Sequence, residues 1–296
     1  MSKWFWHLVV AAMAVLSSSA ACYAAPLVAG EAQSFVFTDV GYFANKPISV
    51  YYYKAKSAGP DAKVLIAIHG MERNAKQARD NWQAYAEKHQ LIVLAPEFDE
   101  ARFSARLFNM ANLEDRDRSH WTFQIVEHLF DFVRVSEQLA TQRYLLFGHS
   151  AGGQFVHRFM LLTDDPKVSA AVAANAGSYT MPVFPATAAD DTFPYALDER
   201  MVSEAKLRQV FARKLFVMLG EDDTQTDAAN LPKARQAKAQ GVNRLARGNL
   251  FFARAKAQAR QLDTPFAWEL TTVPGVGHHS RAMSKAAAKV LLESSP

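Results

Sequence analysis

The chain has 296 residues, half of them apolar, which is enough to bury a large hydrophobic core. Its 33 basic and 29 acidic side chains give a formal net charge of +4, too small to indicate a nucleic-acid partner. Cys22 is the single cysteine, so an intramolecular disulfide and a zinc site built from cysteines are excluded. We therefore expect one folded domain stabilised by core packing.

The first 25 residues have the pattern of an export signal. Lys3 is followed by an apolar run over residues 8–16 and then by small residues that end in Ala24-Ala25. The run is too short to span a bilayer. We predict a signal peptide over residues 1–25, a secreted or periplasmic mature chain and no stable membrane span. A membrane-anchor helix and a lipoprotein acylated on Cys22 are the alternatives.

Two early segments, 34–38 and 48–54, have the residue pattern of an antiparallel strand pair. They are followed by a continuous apolar run over residues 64–68, which is typical of a parallel strand covered on both faces. These segments predict an antiparallel N-terminal edge beside a parallel sheet.

From residue 74 onwards, helical and strand-like segments alternate. The predicted helices are 74–89, 120–139, 151–162, 199–212, 243–262 and 280–292, and the predicted strands are 91–95, 144–147, 168–174, 215–219 and 266–273. This alternation predicts an α/β fold with a mostly parallel, twisted sheet and helices on both of its faces.

Two later stretches differ from this pattern in composition. Residues 177–198 mix prolines with aromatic residues, which predicts an ordered excursion, either a lid over the site or a plain surface loop. Residues 228–262 contain eight basic side chains and no acid, which we interpret as a solvated helix face. The alternative is a surface that faces an anionic substrate or envelope polymer. The basic residues are Lys233, Arg235, Lys238, Arg244, Arg247, Arg254, Lys256 and Arg260.

The most informative motif is Gly148-His149-Ser150-Ala151-Gly152-Gly153, which follows a predicted strand and precedes a predicted helix. A serine in so tight a strand-to-helix turn has a strained backbone, and only small residues two places before and after it leave room. Gly148 and Gly152 meet that requirement. We predict Ser150 as a nucleophile; the alternative is a glycine-rich turn with an inert serine.

A nucleophilic serine needs a base, and the base needs an orienting carboxylate. Residues 220–223 follow a predicted strand, at the sheet edge where catalytic groups gather. We select Asp223 as the acid and keep Asp222 as the alternative. After the last predicted strand, a glycine-rich loop supplies His278 as the base, which we prefer to His279 because it directly follows a glycine.

Acyl transfer also requires two backbone N–H donors for the oxyanion, one of them from the residue after the nucleophile. Ala151 is that residue. His69-Gly70-Met71 follows the strand 64–68, and Gly70 lets the chain bend so that the Met71 amide can face the site. His69 has no partner at metal-site spacing, so we assign it to packing and predict no metal.

With these motifs in the order Ser, Asp, His, the chain resembles the α/β-hydrolase superfamily over nearly the whole predicted mature sequence. Residues 69–75, 95–99 and 148–153 are similar to exported bacterial hydrolases related to polyhydroxybutyrate depolymerases and poly(aspartic acid) hydrolases. The resemblance implies an α/β-hydrolase catalytic domain over residues 26–296. It also implies cleavage of a carboxylic ester through an acyl-serine intermediate, without a metal or an organic cofactor.

In such an enzyme Ser150, Asp223 and His278 would form the catalytic triad, and Met71 and Ala151 would be the oxyanion donors. We expect an exported esterase that acts on small or oligomeric esters. The alternatives are an amidase or peptidase for peptide or polyaspartate-like chains and a non-catalytic envelope binding protein of the same fold.

Arg73 follows the predicted oxyanion loop closely enough to meet a substrate carboxylate, which would favour an anionic substrate. We prefer the alternative, in which Arg73 braces the loop by pairing with Glu72, Glu97 or Asp99.

Overall fold

The computed structural model describes residues 26–184, 192–198 and 201–293. The predicted signal peptide over residues 1–25, including Cys22, lies outside these ranges, as does part of the segment 177–198. Among the helices of the described ranges, none is both long and apolar enough to cross a bilayer.

A single eight-stranded sheet forms the centre of the described structure. Its strands are β1 (Ala32–Phe37), β2 (Ile48–Lys54), β3 (Val64–Ile68), β4 (Ile92–Pro96), β5 (Tyr144–His149), β6 (Val168–Ala174), β7 (Leu215–Gly220) and β8 (Glu269–Val273). Their order across the sheet is β1-β2-β4-β3-β5-β6-β7-β8. β2 pairs antiparallel with β1 and β4, and the other neighbours are parallel. The predicted sheet, with its antiparallel N-terminal edge, is confirmed.

Helices cover both faces of this sheet, as predicted. They are α1 (Ala75–Asp80), α2 (Gln83–His89), α3 (Phe123–Ser136), α4 (Ala151–Leu162), α5 (Glu204–Phe211), α6 (Arg235–Ala239), α7 (Arg244–Gln261) and α8 (Ser280–Ala288). Alternate strand residues point to opposite faces. Ile66 accordingly packs in the core cluster with α3, α4 and α7, and Leu65 packs in the cluster with α2 and α8.

Several predicted boundaries differ from the structure. Residues 74–89 form two short helices, α1 and α2, and the break between them places the fully buried ring of Trp82 against Phe147. The predicted helix 120–139 begins only at Phe123, because a 3₁₀ turn precedes it.

The predicted strand 266–273 is correct only from Glu269 onwards. The aromatic residues before it leave the sheet edge and pack on Phe211, with ring centroids 5.6 Å away for Phe266 and 5.4 Å away for Trp268. Helix α5 begins at Glu204, because the side chain of Ser203 caps it by accepting a hydrogen bond from the Lys206 amide.

Candidate active site

Ser150 lies in the turn from β5 to α4, with φ 59° and ψ −118°. A positive φ is rare for serine, so the surrounding structure must enforce it. A Cβ atom on Gly148 would lie 2.2 Å from the Gly152 carbonyl oxygen, and one on Gly152 would lie 2.3 Å from that of Ile68. The backbone therefore approaches this turn so closely that both flanking positions require glycine, as the motif predicted.

The three side chains selected from the sequence meet at the carboxyl ends of three strands. Ser150 follows β5, Asp223 follows β7 and His278 follows β8. The Oγ atom of Ser150 lies 2.9 Å from Nε2 of His278. The opposite ring nitrogen of His278, Nδ1, lies 2.7 Å from Oδ2 of Asp223. A continuous hydrogen-bonded line therefore joins the carboxylate, the imidazole and the hydroxyl.

The residues kept as alternatives lie elsewhere. Asp222 is exposed, and its backbone N–H donates to the Val276 carbonyl at 3.0 Å. His279 is exposed at the N-terminus of α8, where its Nδ1 accepts a hydrogen bond from the Ala282 amide. Asp223, by contrast, is only 1% exposed, so burial and partner both distinguish it from Asp222.

The two predicted oxyanion donors adjoin Ser150. A Cβ atom on Gly70 would lie 3.6 Å from the Cβ of Ser150, so the loop before Met71 passes close to the serine, and Gly70, Met71 and Ser150 line the same cleft. Ala151 is buried at the first position of α4. Within the part of the chain that is described, neither amide donates to another group of the protein. Both amides are therefore available to a ligand oxygen.

His69 supports this loop from within the core, as predicted. Its Nδ1 lies 2.8 Å from the Gly70 carbonyl oxygen, to which it donates, and its Nε2 accepts from the Phe98 amide at 3.0 Å. Burial lowers the pKa of His69 to about 4, so the ring is neutral at pH 7. A neutral ring can donate from one nitrogen and accept at the other, which these two contacts require.

The predicted ion pair of Arg73 is wrong. Among the described residues, Arg73 forms no ion pair with Glu72, Glu97 or Asp99. Its Nη1 donates instead to the Phe98 carbonyl at 2.6 Å, and the guanidinium lies 4.4 Å from the centre of the Phe108 ring. The Nε and Nη2 atoms of Arg73 are buried without a hydrogen-bond partner among the described residues. Arg73 does not line the cleft in front of Ser150. Arg73 therefore braces the loop through the Phe98 carbonyl and the Phe108 ring, and not through a carboxylate.

Asn175, which the sequence analysis missed, ties together the loops that carry the acid and the base. It follows β6 with φ 47°. Its Oδ1 accepts from the Gly220 amide at 2.8 Å, and its Nδ2 donates to the Gly277 carbonyl at 3.2 Å. The available signal was a polar residue directly after an apolar strand, at the same sheet edge as the motifs.

The basic segment 228–262 does not form one solvated face. Most of its basic side chains are exposed, but Arg244 and Arg247 are each only 1% exposed. Nη1 of Arg244 lies 3.4 Å from Oδ1 of Asp223, and Arg247 donates to backbone carbonyls. The prediction fails at these two positions because α7 turns them towards the sheet edge, where acceptors are buried.

Ser150 opens into a cleft of about 230 Å³. Most of its lining is polar: His69, Gly70, Met71, Glu72, Asn74, Gln77, Ala78, His149, Ser150, Asn230, His278, His279, Ser280 and Arg281. A larger cavity of about 480 Å³ lies around Trp121 and Phe193, away from the serine. In the described ranges no group of His, Cys, Asp or Glu residues could hold a metal ion.

The segment 177–198 is ordered over its described parts, as predicted. Tyr179 and Met181 are buried, and Met181 bridges to Ala196. These parts line the larger cavity through Phe193 and contribute no residue to the cleft in front of Ser150. The described parts therefore do not form the lid that the sequence analysis considered.

No family model matches the sequence. Two solved structures are similar over almost their whole length. Poly(aspartic acid) hydrolase-1 from Sphingomonas sp. KT-1 is 38% identical with a TM-score of 0.83, and the match covers 89% of this chain and 99% of that one. LpqC, a poly(3-hydroxybutyrate) depolymerase from Bordetella parapertussis, is 31% identical with a TM-score of 0.82, and the match covers 90% of this chain and 92% of that one.

A more distant similarity concerns the bifunctional acetylxylan esterase/xylanase XynS20E of Neocallimastix patriciarum. It is 22% identical over 113 residues, which are 38% of this chain. The match spans only 15% of that curated relative.

Proposed function

The chain belongs to the α/β-hydrolase superfamily, and from that premise we propose that it is an exported serine hydrolase that cleaves carboxylic esters. The observation that carries the proposal is the hydrogen-bonded line from Asp223 through His278 to Ser150. Such a line activates a hydroxyl that is otherwise a poor nucleophile.

In the acylation step, Ser150 Oγ attacks the ester carbonyl carbon while His278 Nε2 takes the hydroxyl proton. The carbonyl electron pair moves onto the oxygen, and the amides of Met71 and Ala151 stabilise that oxyanion. Asp223 holds the imidazole in orientation and stabilises its positive charge through Nδ1. His278 then gives the proton to the alkoxy oxygen as the carbon–oxygen bond breaks, which leaves an acyl-serine and a free alcohol.

In the deacylation step, His278 takes a proton from water, and the hydroxide attacks the acyl carbon. The second tetrahedral intermediate uses the same two amides. Its collapse breaks the bond to Ser150 Oγ, which recovers its proton from His278, and the carboxylic acid leaves.

His149 lies beside the base without competing with it. The ring centroids of His149 and His278 are 4.5 Å apart. Burial lowers the pKa of His149 well below its ordinary value, and the charge of His278 lowers it further. His149 therefore stays neutral at pH 7, so it adds no positive charge next to the imidazolium that forms during turnover.

A second candidate function is cleavage of amide bonds in an acidic chain. Its basis is the 38% identity to poly(aspartic acid) hydrolase-1. The exposed Arg281 also lines the cleft, where it could meet a carboxylate of such a chain.

An activity panel separates the two candidates. The protein without residues 1–25 is assayed on short p-nitrophenyl esters, oligomers of 3-hydroxybutyrate and aspartyl oligopeptides, with Ser150→Ala as the blank. Ester hydrolysis without peptide cleavage supports the esterase. Peptide cleavage at comparable kcat/KM supports the amidase, and no hydrolysis by folded protein contradicts both.

Export is tested separately. The full chain is produced in a Gram-negative host, and the mass of the exported protein is measured. Loss of the first 24 or 25 residues in the periplasmic fraction supports the predicted signal peptide. A full-length chain retained in the cytoplasm contradicts it.

A further inference from the structure

The guanidinium of Arg244 contacts the carboxylate that orients the base. Nη1 of Arg244 lies 3.4 Å from Oδ1 of Asp223, and each side chain is 1% exposed. Nη2 donates to Oδ1 of Asn230 at 2.5 Å, and Asn230 lines the cleft in front of Ser150. The two oxygens of Asp223 thus have different partners, since Oδ2 binds His278.

The start of α7 places Arg244 at this position. Asn243 caps the helix by accepting from the Ala246 amide at 2.8 Å, and its Nδ2 donates to the Thr224 carbonyl at 3.2 Å. The amide of Leu245 donates to the Asp223 carbonyl at 3.3 Å. The first turn of α7 is therefore bonded to the same short loop that carries the acid.

Arg247, one turn along α7, shows that a buried arginine of this helix needs no carboxylate. It is also 1% exposed. Its guanidinium donates to the backbone carbonyls of Gly177 at 2.6 Å, Gly241 at 2.9 Å and Pro232 at 3.2 Å. The contact of Arg244 with Asp223 is consequently a specific feature of the acid's surroundings.

We propose that Arg244 is a positioning residue, which fixes Asp223 through its second oxygen and limits how strongly that carboxylate stabilises a charged His278. The inference rests on the proposed function, because Arg244 acts here only through the acid and the base. A fixed cation beside the carboxylate disfavours a second positive charge on the neighbouring imidazole. Removal of the Arg244 charge is therefore expected to change the pH dependence of catalysis.

Other titratable and charged groups also lie near this pair, among them the exposed Arg281, which lines the cleft with His278, and the buried Arg247, which interacts electrostatically with Arg244. From β5, His149 faces His278 and is neutral because burial lowers its pKa. Tyr179, next to Asp223, has a pKa that burial and this carboxylate raise. The sequence neighbours of the two residues, His279 and Asp222, are both exposed to solvent.

The test compares Arg244→Met with Arg247→Met, which removes an equally buried arginine that does not contact the acid. For Arg244→Met we expect kcat to fall about tenfold with KM nearly unchanged, and the acidic limb of kcat/KM to move up by about 0.5 to 1 pH unit. Arg247→Met is expected to lower the thermal stability and to leave the acidic limb in place. The substrate is the ester that the activity panel identifies.

Two further variants keep the test decisive where Arg244→Met folds poorly. Arg244→Gln lacks the charge and is expected to give the same pH shift, whereas Arg244→Lys retains the charge and is expected to restore the wild-type limb. If the wild-type enzyme is active but the acidic limb of kcat/KM stays in place in Arg244→Met and Arg244→Gln, this inference alone is overturned. A folded wild-type protein that hydrolyses no ester and reacts with no fluorophosphonate overturns the proposed function as well.

Discussion

The Oγ of Ser150 lies 2.9 Å from Nε2 of His278, although the two residues are 128 positions apart in the chain. The sheet makes this contact possible, because β5 to β8 are parallel and end at the same edge. The loop after β8 is then held over that edge by two hydrogen bonds. The Asp222 amide donates to the Val276 carbonyl, and Asn175 donates to that of Gly277.

Removal of the base should abolish most turnover. We predict that His278→Ala lowers kcat by roughly 10⁴-fold or more, while binding and the oxyanion donors leave some residual catalysis. Steady-state ester hydrolysis measures this. His120→Ala, which removes a histidine paired with Asp115 outside the cleft, is the control. A His278→Ala enzyme that keeps a tenth of the wild-type rate would contradict the assignment.

The neighbouring aspartates provide a matched pair. Asp223→Asn is expected to lower kcat by about 10⁴-fold, because an amide cannot stabilise the imidazolium. It also leaves the buried Arg244 without its charged partner, which costs stability. Asp222→Asn should keep kcat within about threefold, since this side chain faces solvent. Equal losses of kcat in both variants would show that the acid is wrongly assigned.

The close approach at the serine turn predicts a stability effect. Gly152→Ala would place a Cβ 2.3 Å from the Ile68 carbonyl oxygen, so we expect a loss of about 3 kcal/mol or more, or failure to fold. Gly59→Ala is the control, because its Cβ would meet no atom within 4 Å. Urea denaturation of both variants measures the difference. Equal stability of Gly152→Ala and Gly59→Ala would contradict the close approach of the backbone at Gly152.

The buried His69 predicts a pH dependence of stability. Its pKa is about 4 in the folded protein, below the ordinary 6.5, so the unfolded chain binds the proton more tightly. The contribution of His69 to the free energy of unfolding is therefore fully present above pH 6.5 and is lost as the pH falls towards 4. At pH 5 this loss of unfolding free energy is about 2 kcal/mol.

His69→Gln tests this contribution, because glutamine does not titrate. The free energy of unfolding is measured in urea at pH 7.5 and at pH 5. We expect a smaller decrease in the variant than in the wild type. The same decrease in both proteins would mean that His69 does not contribute. Burial also lowers the pKa values of His149 and His157 well below 6.5. These two histidines therefore reduce the free energy of unfolding at pH 5 in the wild type and in the variant alike.

The elements that position the site could be predicted where pattern and covalent geometry act locally. Strand β2, strand β3 and helix α4 have the predicted boundaries, because continuous or alternating apolar runs identify them. The turn at Ser150 was predictable as well, since only glycine fits at Gly148 and Gly152. The order of the motifs along the chain then led to Asp223 and His278.

What could not be predicted depends on contacts between distant parts of the chain. Arg244 looks like its exposed basic neighbours until α7 docks its first turn on the loop of Asp223. Asn175 has no motif of its own, and its two partners lie 45 and 102 positions away. The partners of Arg73 were misjudged for the same reason, because a carbonyl and a ring are not visible as charges in a sequence.

In the proposed mechanism Ser150 forms a covalent bond with the substrate, and covalent labelling of the serine shows whether it can. The protein without residues 1–25 and its Ser150→Ala variant, both shown to be folded by circular dichroism, are treated with a fluorophosphonate probe and mapped by peptide mass spectrometry. We expect one label, on Ser150, and none in the variant. Folded wild-type protein without a label on Ser150, or equal labelling of the variant, would contradict the proposed mechanism.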